Sequence, residues 1–184
     1  MPVERHRETA WLAYEEHIAQ VAVASNPWIV SAHQGVVHNG TARGRQTDVV
    51  LVGVLSHKQI LVPVECKHRK RPVGIGVVEE FIGTLLDLNL DGGVLVSSSG
   101  FTEPARLRAQ RSSSPAILLR HVPYAPCRGS TRAEEAMILT HEDMADPRWS
   151  HEGFFLDARI RMICNRIAPL PSITQRLGRL ARAA

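Results

Sequence analysis

Glu65 and Lys67 close an apolar run, Ile60-Leu61-Val62-Pro63-Val64, that reads as a buried strand. Side chains alternate between the two faces of a strand, so Glu65 and Lys67 share one face and Cys66 takes the other. A carboxylate and an ammonium at the end of a buried strand are costly unless something uses them. Metal-assisted hydrolysis of a phosphodiester would use both. A second carboxylate, Asp48, opens another apolar run, Val49-Val50-Leu51-Val52-Gly53-Val54. Ser56-His57-Lys58, between the runs, is a turn candidate. A hairpin centred between Ser56 and His57 sets Asp48 opposite Glu65, Val50 opposite Pro63 and Val52 opposite Leu61. Directly opposed residues project from one face. Asp48, Glu65 and Lys67 then gather at one end of the hairpin, and a register slip of one residue would break the cluster. Pro63 cannot donate to a ladder, which predicts a bulge there or a nitrogen turned away from a partner.

The cluster suits Mg²⁺, which prefers oxygen ligands in near-octahedral geometry and takes one or two carboxylates plus waters and a phosphate oxygen. Asp48 and Glu65 supply the carboxylates, and the backbone carbonyl of Cys66 a third protein oxygen. Mn²⁺ is the natural substitute. Lys67 could orient the attacking water or offset charge on the phosphate. Whether it acts as a base is open, since nearby carboxylates raise its pKa and a bound metal lowers it. An isolated E-x-K reads as a structural ion pair. The upstream Asp48 at hairpin parity shifts the balance towards function.

Asp48…Glu65-Cys66-Lys67 resembles the D…(D/E)-x-K signature of the PD-(D/E)XK nucleases, in particular their Mrr-like restriction endonuclease branch. Arg45-Gln46-Thr47-Asp48-Val49 resembles that branch's entry to the metal site, and Val64-Glu65-Cys66-Lys67 its E-C-K strand. Val78-Glu79-Glu80-Phe81-Ile82-Gly83 resembles the helix that follows. Ser99-Gly100-Phe101-Thr102, with Ala105 and Ala109 after it, resembles a strand-to-helix turn. Tyr14-Glu15 matches a Glu that follows an aromatic residue on an early helix. These five motifs keep the family's order across residues 10–120. The resemblance implies a Mg²⁺-dependent DNA endonuclease in restriction or defence. It makes Asp48 and Glu65 metal ligands, Lys67 the catalytic lysine and Glu15 an accessory acid holding a metal-bound water. No Gln replaces the Glu before the lysine, so nothing here argues for a dead site.

Helical spacing alone does not single out Glu15. A helix over residues 4–23 puts Glu15 with Trp11, Ile18 and Ala22, and puts Glu16 with Leu12, Ala19 and Val23. Only the match to the aromatic-Glu motif favours Glu15.

The chain carries a formal net charge of +4, which agrees with a DNA partner. Arg69, Lys70 and Arg71 follow the proposed site and could grip phosphates beside the cut, contacts that position without reading sequence. Arg43 and Arg45 could add to the same groove. The bland alternative is a solubilising loop. Aromatic residues make up only 5% of the chain and form no stacking platform, so double-stranded DNA is the expected substrate. Cutting both strands needs two sites, which predicts a homodimer. No separate recognition domain is evident, so specificity is low or comes from a partner protein.

A length of 184 residues with 44% hydrophobic content suits one core with an appendage. The expected division is a nuclease core over 1–122 and a C-terminal extension over 123–184. That extension would pack on the core or in a dimer interface, with a strand-like alternation at 156–164 and a basic helix near 173–180. No apolar segment reads as a signal or membrane span, so a cytoplasmic location is expected. Three scattered cysteines give neither a disulfide framework nor a zinc spacing, and nine histidines show no ligand spacing. The periodicities predict the order αβββαβαβ, which fits the α/β restriction-endonuclease-like core, a mixed central sheet flanked by helices, that the resemblance implies. Asp91-Gly92-Gly93 reads as the stop of the second helix. Two other functions fit the same core: a DNA-binding module that does not cut, and a resolvase for branched DNA.

Overall fold

In the computed structural model, which describes residues 3–38, 45–55, 58–124 and 138–139, the two apolar runs pair as antiparallel strands β2 (Arg45–Leu55) and β3 (Lys58–Lys67). Their register joins Val49 to Val64, Val50 to Pro63 and Val52 to Leu61, which is the expected one. It passes Pro63 without a shift, so the proline makes no bulge; the ladder to the next strand starts one residue later, at Val64. The strand β1 (Ile29–His38) lies antiparallel on the far side of β2. On the other side, β4 (Gly92–Ser97) and β5 (Ala116–His121) continue the sheet in parallel, giving the order β1-β2-β3-β4-β5.

Helices cover both faces. In α1 (Val3–Ser25), Tyr14, Ile18, Val21 and Ala22 recur at helical spacing and are buried. They pack on Val49, Leu51, Val62, Val64, Cys66, Val94 and Val96. On the opposite face, α2 (Ile75–Asp87) buries Val78, Phe81, Ile82 and Leu85. With Ala105 and Ala109 of α3 (Glu103–Gln110) these cover Leu95 and Ile117. Thr102 caps α3 as expected, accepting the Ala105 N–H, with Pro104 in the first turn. The order αβββαβαβ and the mixed sheet flanked by helices are the expected α/β arrangement.

The second helix stops earlier than the sequence predicts. It ends at Asp87, with Leu88 as C-cap and Asn89 in the left-handed region at φ 54°. Gly92 and Gly93 open β4 instead. A Cβ on Gly93 would stand 2.6 Å from Phe81 Cζ and 3.1 Å from the Pro63 carbonyl oxygen. The glycine therefore serves the close approach of α2 to the sheet rather than a turn.

Beyond β5, Ile138 and Leu139 are fully buried and belong to the same core cluster as Tyr14 and Ile18 of α1. Arg43, the 56–57 turn and the elements expected at 156–164 and 173–180 lie outside the described residues. Among the described residues, no helix is long and apolar enough to cross a membrane.

Candidate active site

Past Val49 and Val64 the strands β2 and β3 part. The expected opposition of Asp48 and Glu65 would be the next pair, and a side chain takes its place: Asp48 Oδ2 accepts the Cys66 backbone N–H at 2.8 Å. Across Asp48 on the other strand lies Gly35, between the Gln34–Val49 and Val36–Thr47 pairs. Its φ of +60° lies in the left-handed region, a conformation glycine adopts without steric cost. Asp48 follows the alternation of Val50 and Val52, and Glu65 and Lys67 that of Leu61, so all three leave the sheet on one face. Lys67 Nζ donates to Glu65 Oε1, and both side chains keep 19% of their exposure.

Glu15 reaches this end of the sheet from α1, on the other face. It is only 4% exposed, whereas Glu16 is exposed and accepts from Gln20. The packing thus separates two residues that helical spacing could not. Burial, then the charges of Asp48 and Glu65, push the Glu15 carboxyl up to about 8, against the pull of Lys67. Burial also raises Asp48, offset in part by the Cys66 N–H and by Lys67. Glu65 is raised by burial and by Asp48, against Lys67, and Glu80 adds to the rise. Burial is the largest influence on Lys67 and pulls it down, but Glu65 and Asp48 outweigh it and hold the ammonium above its usual range. In the metal-free site these carboxylates favour the charged form of Lys67, and a bound cation would act against them.

Glu65 and Lys67 open onto a cleft of about 210 Å³ shared with Arg45, Gln46, Val77, Glu80, Phe81 and Thr84. Sequence reasoning gave no role to Glu80 or Thr84. Their signal is that they recur with Val77 and Phe81 at helical spacing, two polar residues in an otherwise apolar stripe of α2. Arg45 does stand at the cleft, but Asp87 holds it, accepting from Nε at 2.9 Å and from Nη2. Arg69, Lys70 and Arg71 are exposed just past Lys67 and have no carboxylate partner among the described residues. Cys66 is buried on the α1 face, and burial pushes its thiol well up, which leaves it inert.

Among the described residues, no group of three or more His, Cys, Asp or Glu side chains converges as a metal site. The donor chemistry still fits an oxygen-ligated divalent cation. Three carboxylates share one lysine, and burial holds all three above their usual range, with the Asp48 charge adding to the rise of Glu15 and Glu65. A divalent cation would relieve that excess of negative charge. The Cys66 N–H faces the Asp48 side of β3, and backbone alternation turns the Cys66 carbonyl to the same side, beyond the last β2–β3 pair. Asp48, Glu65 and that carbonyl are the residues that would hold the ion.

The family model of a restriction endonuclease domain, the Mrr catalytic domain, matches residues 13–122. The chain belongs to this family and carries a restriction-type nuclease domain of the PD-(D/E)XK class. A similar solved structure is the crystal structure of a protein of unknown function, AF1548, at 18% identity and a TM-score of 0.49. The match covers 65% of this chain and 62% of that one, so it spans less than two thirds of the other protein. No curated protein matches the chain.

Proposed function

We propose that the protein is a Mg²⁺-dependent endonuclease that hydrolyses phosphodiester bonds of double-stranded DNA in restriction or defence. The observation that carries this reading is the gathering of Asp48, Glu65 and Lys67 where β2 and β3 part, in a chain of a restriction endonuclease family. Mg²⁺, or Mn²⁺ in its place, would be held by Asp48, Glu65 and the Cys66 carbonyl, and would polarise the phosphate and activate a water. The water oxygen bonds to phosphorus and gives up a proton to solvent, the bond from phosphorus to the leaving sugar oxygen breaks, and that oxygen takes a proton from solvent. Lys67 orients the attacking water or offsets the charge that builds on the phosphate. Glu15 orients the water from the α1 side.

Arg69, Lys70 and Arg71, with Arg43 and with Arg45 once it exchanges Asp87 for a phosphate, grip the backbone on either side of the cut. Two copies of the chain supply the two cuts of a duplex, so the working form is a homodimer in the cytoplasm, and sequence specificity is low or comes from a partner protein. The test is supercoiled plasmid, methylated and unmethylated, incubated with Mg²⁺, Mn²⁺ or EDTA. Metal-dependent nicking or linearisation is expected. Intact supercoiled plasmid under every condition would overturn the reading.

A further inference from the structure

We propose that Ser98 and Ser99 are positioning residues that preset the Arg69-Lys70-Arg71 loop for a DNA backbone. The proposal rests on the nuclease reading above and deepens it. The ladder between β3 and β4 ends at the Lys67–Ser97 pair, yet the chain beyond Lys67 stays tied to the chain beyond Ser97. The Ser98 N–H donates to the Lys67 carbonyl at 3.1 Å. The Arg69 N–H donates to Ser98 Oγ at 3.2 Å, and Ser99 Oγ donates to the Arg71 carbonyl at 2.7 Å. The Val73 N–H then donates to the Gly100 carbonyl, and the Thr102 N–H to the Val73 carbonyl, each at 2.9 Å.

Residues 67, 69, 71 and 73 thus each present a backbone group to the 98–102 segment. This is the period of a strand edge, with two serine hydroxyls standing where main-chain groups would be. Ser98 Oγ also lies 2.9 Å from His68 Nδ1 and 3.4 Å from the Arg69 carbonyl. A hydroxyl has one proton to give, so it donates to one of these two at a time, and the shorter contact is the better bond. Ser99 is itself fixed, its N–H donating to Ser97 Oγ at 3.2 Å.

The consequence is a loop whose backbone is held while its three cationic side chains remain exposed. A free loop would lose conformational freedom on meeting DNA, and three adjacent like charges would resist being brought together. A loop already held avoids both costs. The serines then raise affinity without touching DNA.

The test uses the full chain with Ser98→Ala and Ser99→Ala combined. Binding to an oligonucleotide duplex is measured over a range of salt, together with plasmid cleavage and amide hydrogen exchange. The expected loss of affinity is roughly three- to tenfold, with the slope of log K against log salt unchanged because the charges remain. In cleavage the loss falls on KM rather than kcat. The Val73 amide gains exchange while those of β4 stay protected. Ser99→Thr, which keeps the hydroxyl, recovers the wild-type affinity.

Wild-type affinity in the double alanine variant would overturn the proposal. A salt slope that falls with the affinity would also overturn it, since the variant would then neutralise fewer phosphates rather than hold its loop less firmly. If the double variant does not fold, Ser99→Ala alone, which leaves the hydrogen bonds of Ser98 in place, carries the same comparison. Hydrogen exchange reads the loop without DNA, so a failed splint and a failed nuclease reading remain distinguishable.

Discussion

The Asp48 carboxylate accepts the Cys66 N–H at 2.8 Å, one step past the last β2–β3 pair. The side chain fills the ladder position that its own backbone has left, and it stands beside Glu65 without help from a ligand. Asp48→Asn keeps an oxygen for that N–H, whereas Asp48→Ala leaves it unpaired. Both remove the buried charge, so their difference isolates the bond. Asp48→Ala should be less stable than Asp48→Asn by about 1–3 kcal/mol, and neither should cut DNA. Equal unfolding free energies for the two variants would show that the bond contributes nothing.

Glu15 makes the metal-free site sensitive to pH. Its ordinary value is 4.5, and burial with the neighbouring charges of Asp48 and Glu65 raises it to about 8 in the fold. Between those values the folded state keeps a proton that the unfolded chain has lost. Stability in EDTA should therefore fall as pH rises through this window, by at most about 1.4 kcal/mol per pH unit for this group. Glu15→Gln removes the effect and should raise the melting temperature at the alkaline end. Denaturant titrations of both proteins at the two ends of the window measure it. A variant with the same pH dependence as the wild type would contradict the placement of Glu15.

Arg69 and Lys70 are exposed cations with no carboxylate partner among the described residues. Replacing both with alanine should weaken duplex binding and lower the salt slope by nearly 2, since each neutralised phosphate contributes about 0.9 to it. An unchanged slope would remove the loop from the interface.

Gly93 tests how α2 is held over the site. A methyl group there meets the Phe81 ring and the Pro63 carbonyl, and α2 carries Glu80 and Thr84 into the cleft. Gly93→Ala should cost about 1–3 kcal/mol as an overpacked core substitution, read by denaturant titration. Wild-type stability would show that Phe81 moves aside freely.

Much of the fold is legible in the residues because local signals agree. The apolar runs of β2 and β3 flank a polar turn symmetrically, which sets their register, and the spacing of Val78, Phe81, Ile82 and Leu85 marks α2. What is not legible depends on contacts distant in sequence. Periodicity says which way Asp48 faces, but not that the ladder ends just before it. Glu15 and Glu16 have equivalent helical neighbours, and only the packing of α1 on the sheet buries one of them. The Arg45–Asp87 pair spans 42 positions and leaves no local trace. Gly93 misleads for a related reason: a glycine needed for close packing looks like a glycine needed for a turn.

Lys67 is the residue on which the nuclease reading turns, as a cation that Glu65 binds directly and that Asp48 and Glu15 also feel. The most direct measurement is supercoiled-plasmid cleavage by wild type and Lys67→Ala in parallel, each with Mg²⁺ or EDTA, alongside duplex binding. Metal-dependent cutting by the wild type, with none by a variant that still folds and binds duplex, is the result expected. Cutting by Lys67→Ala at the wild-type rate would contradict the assignment of the active site.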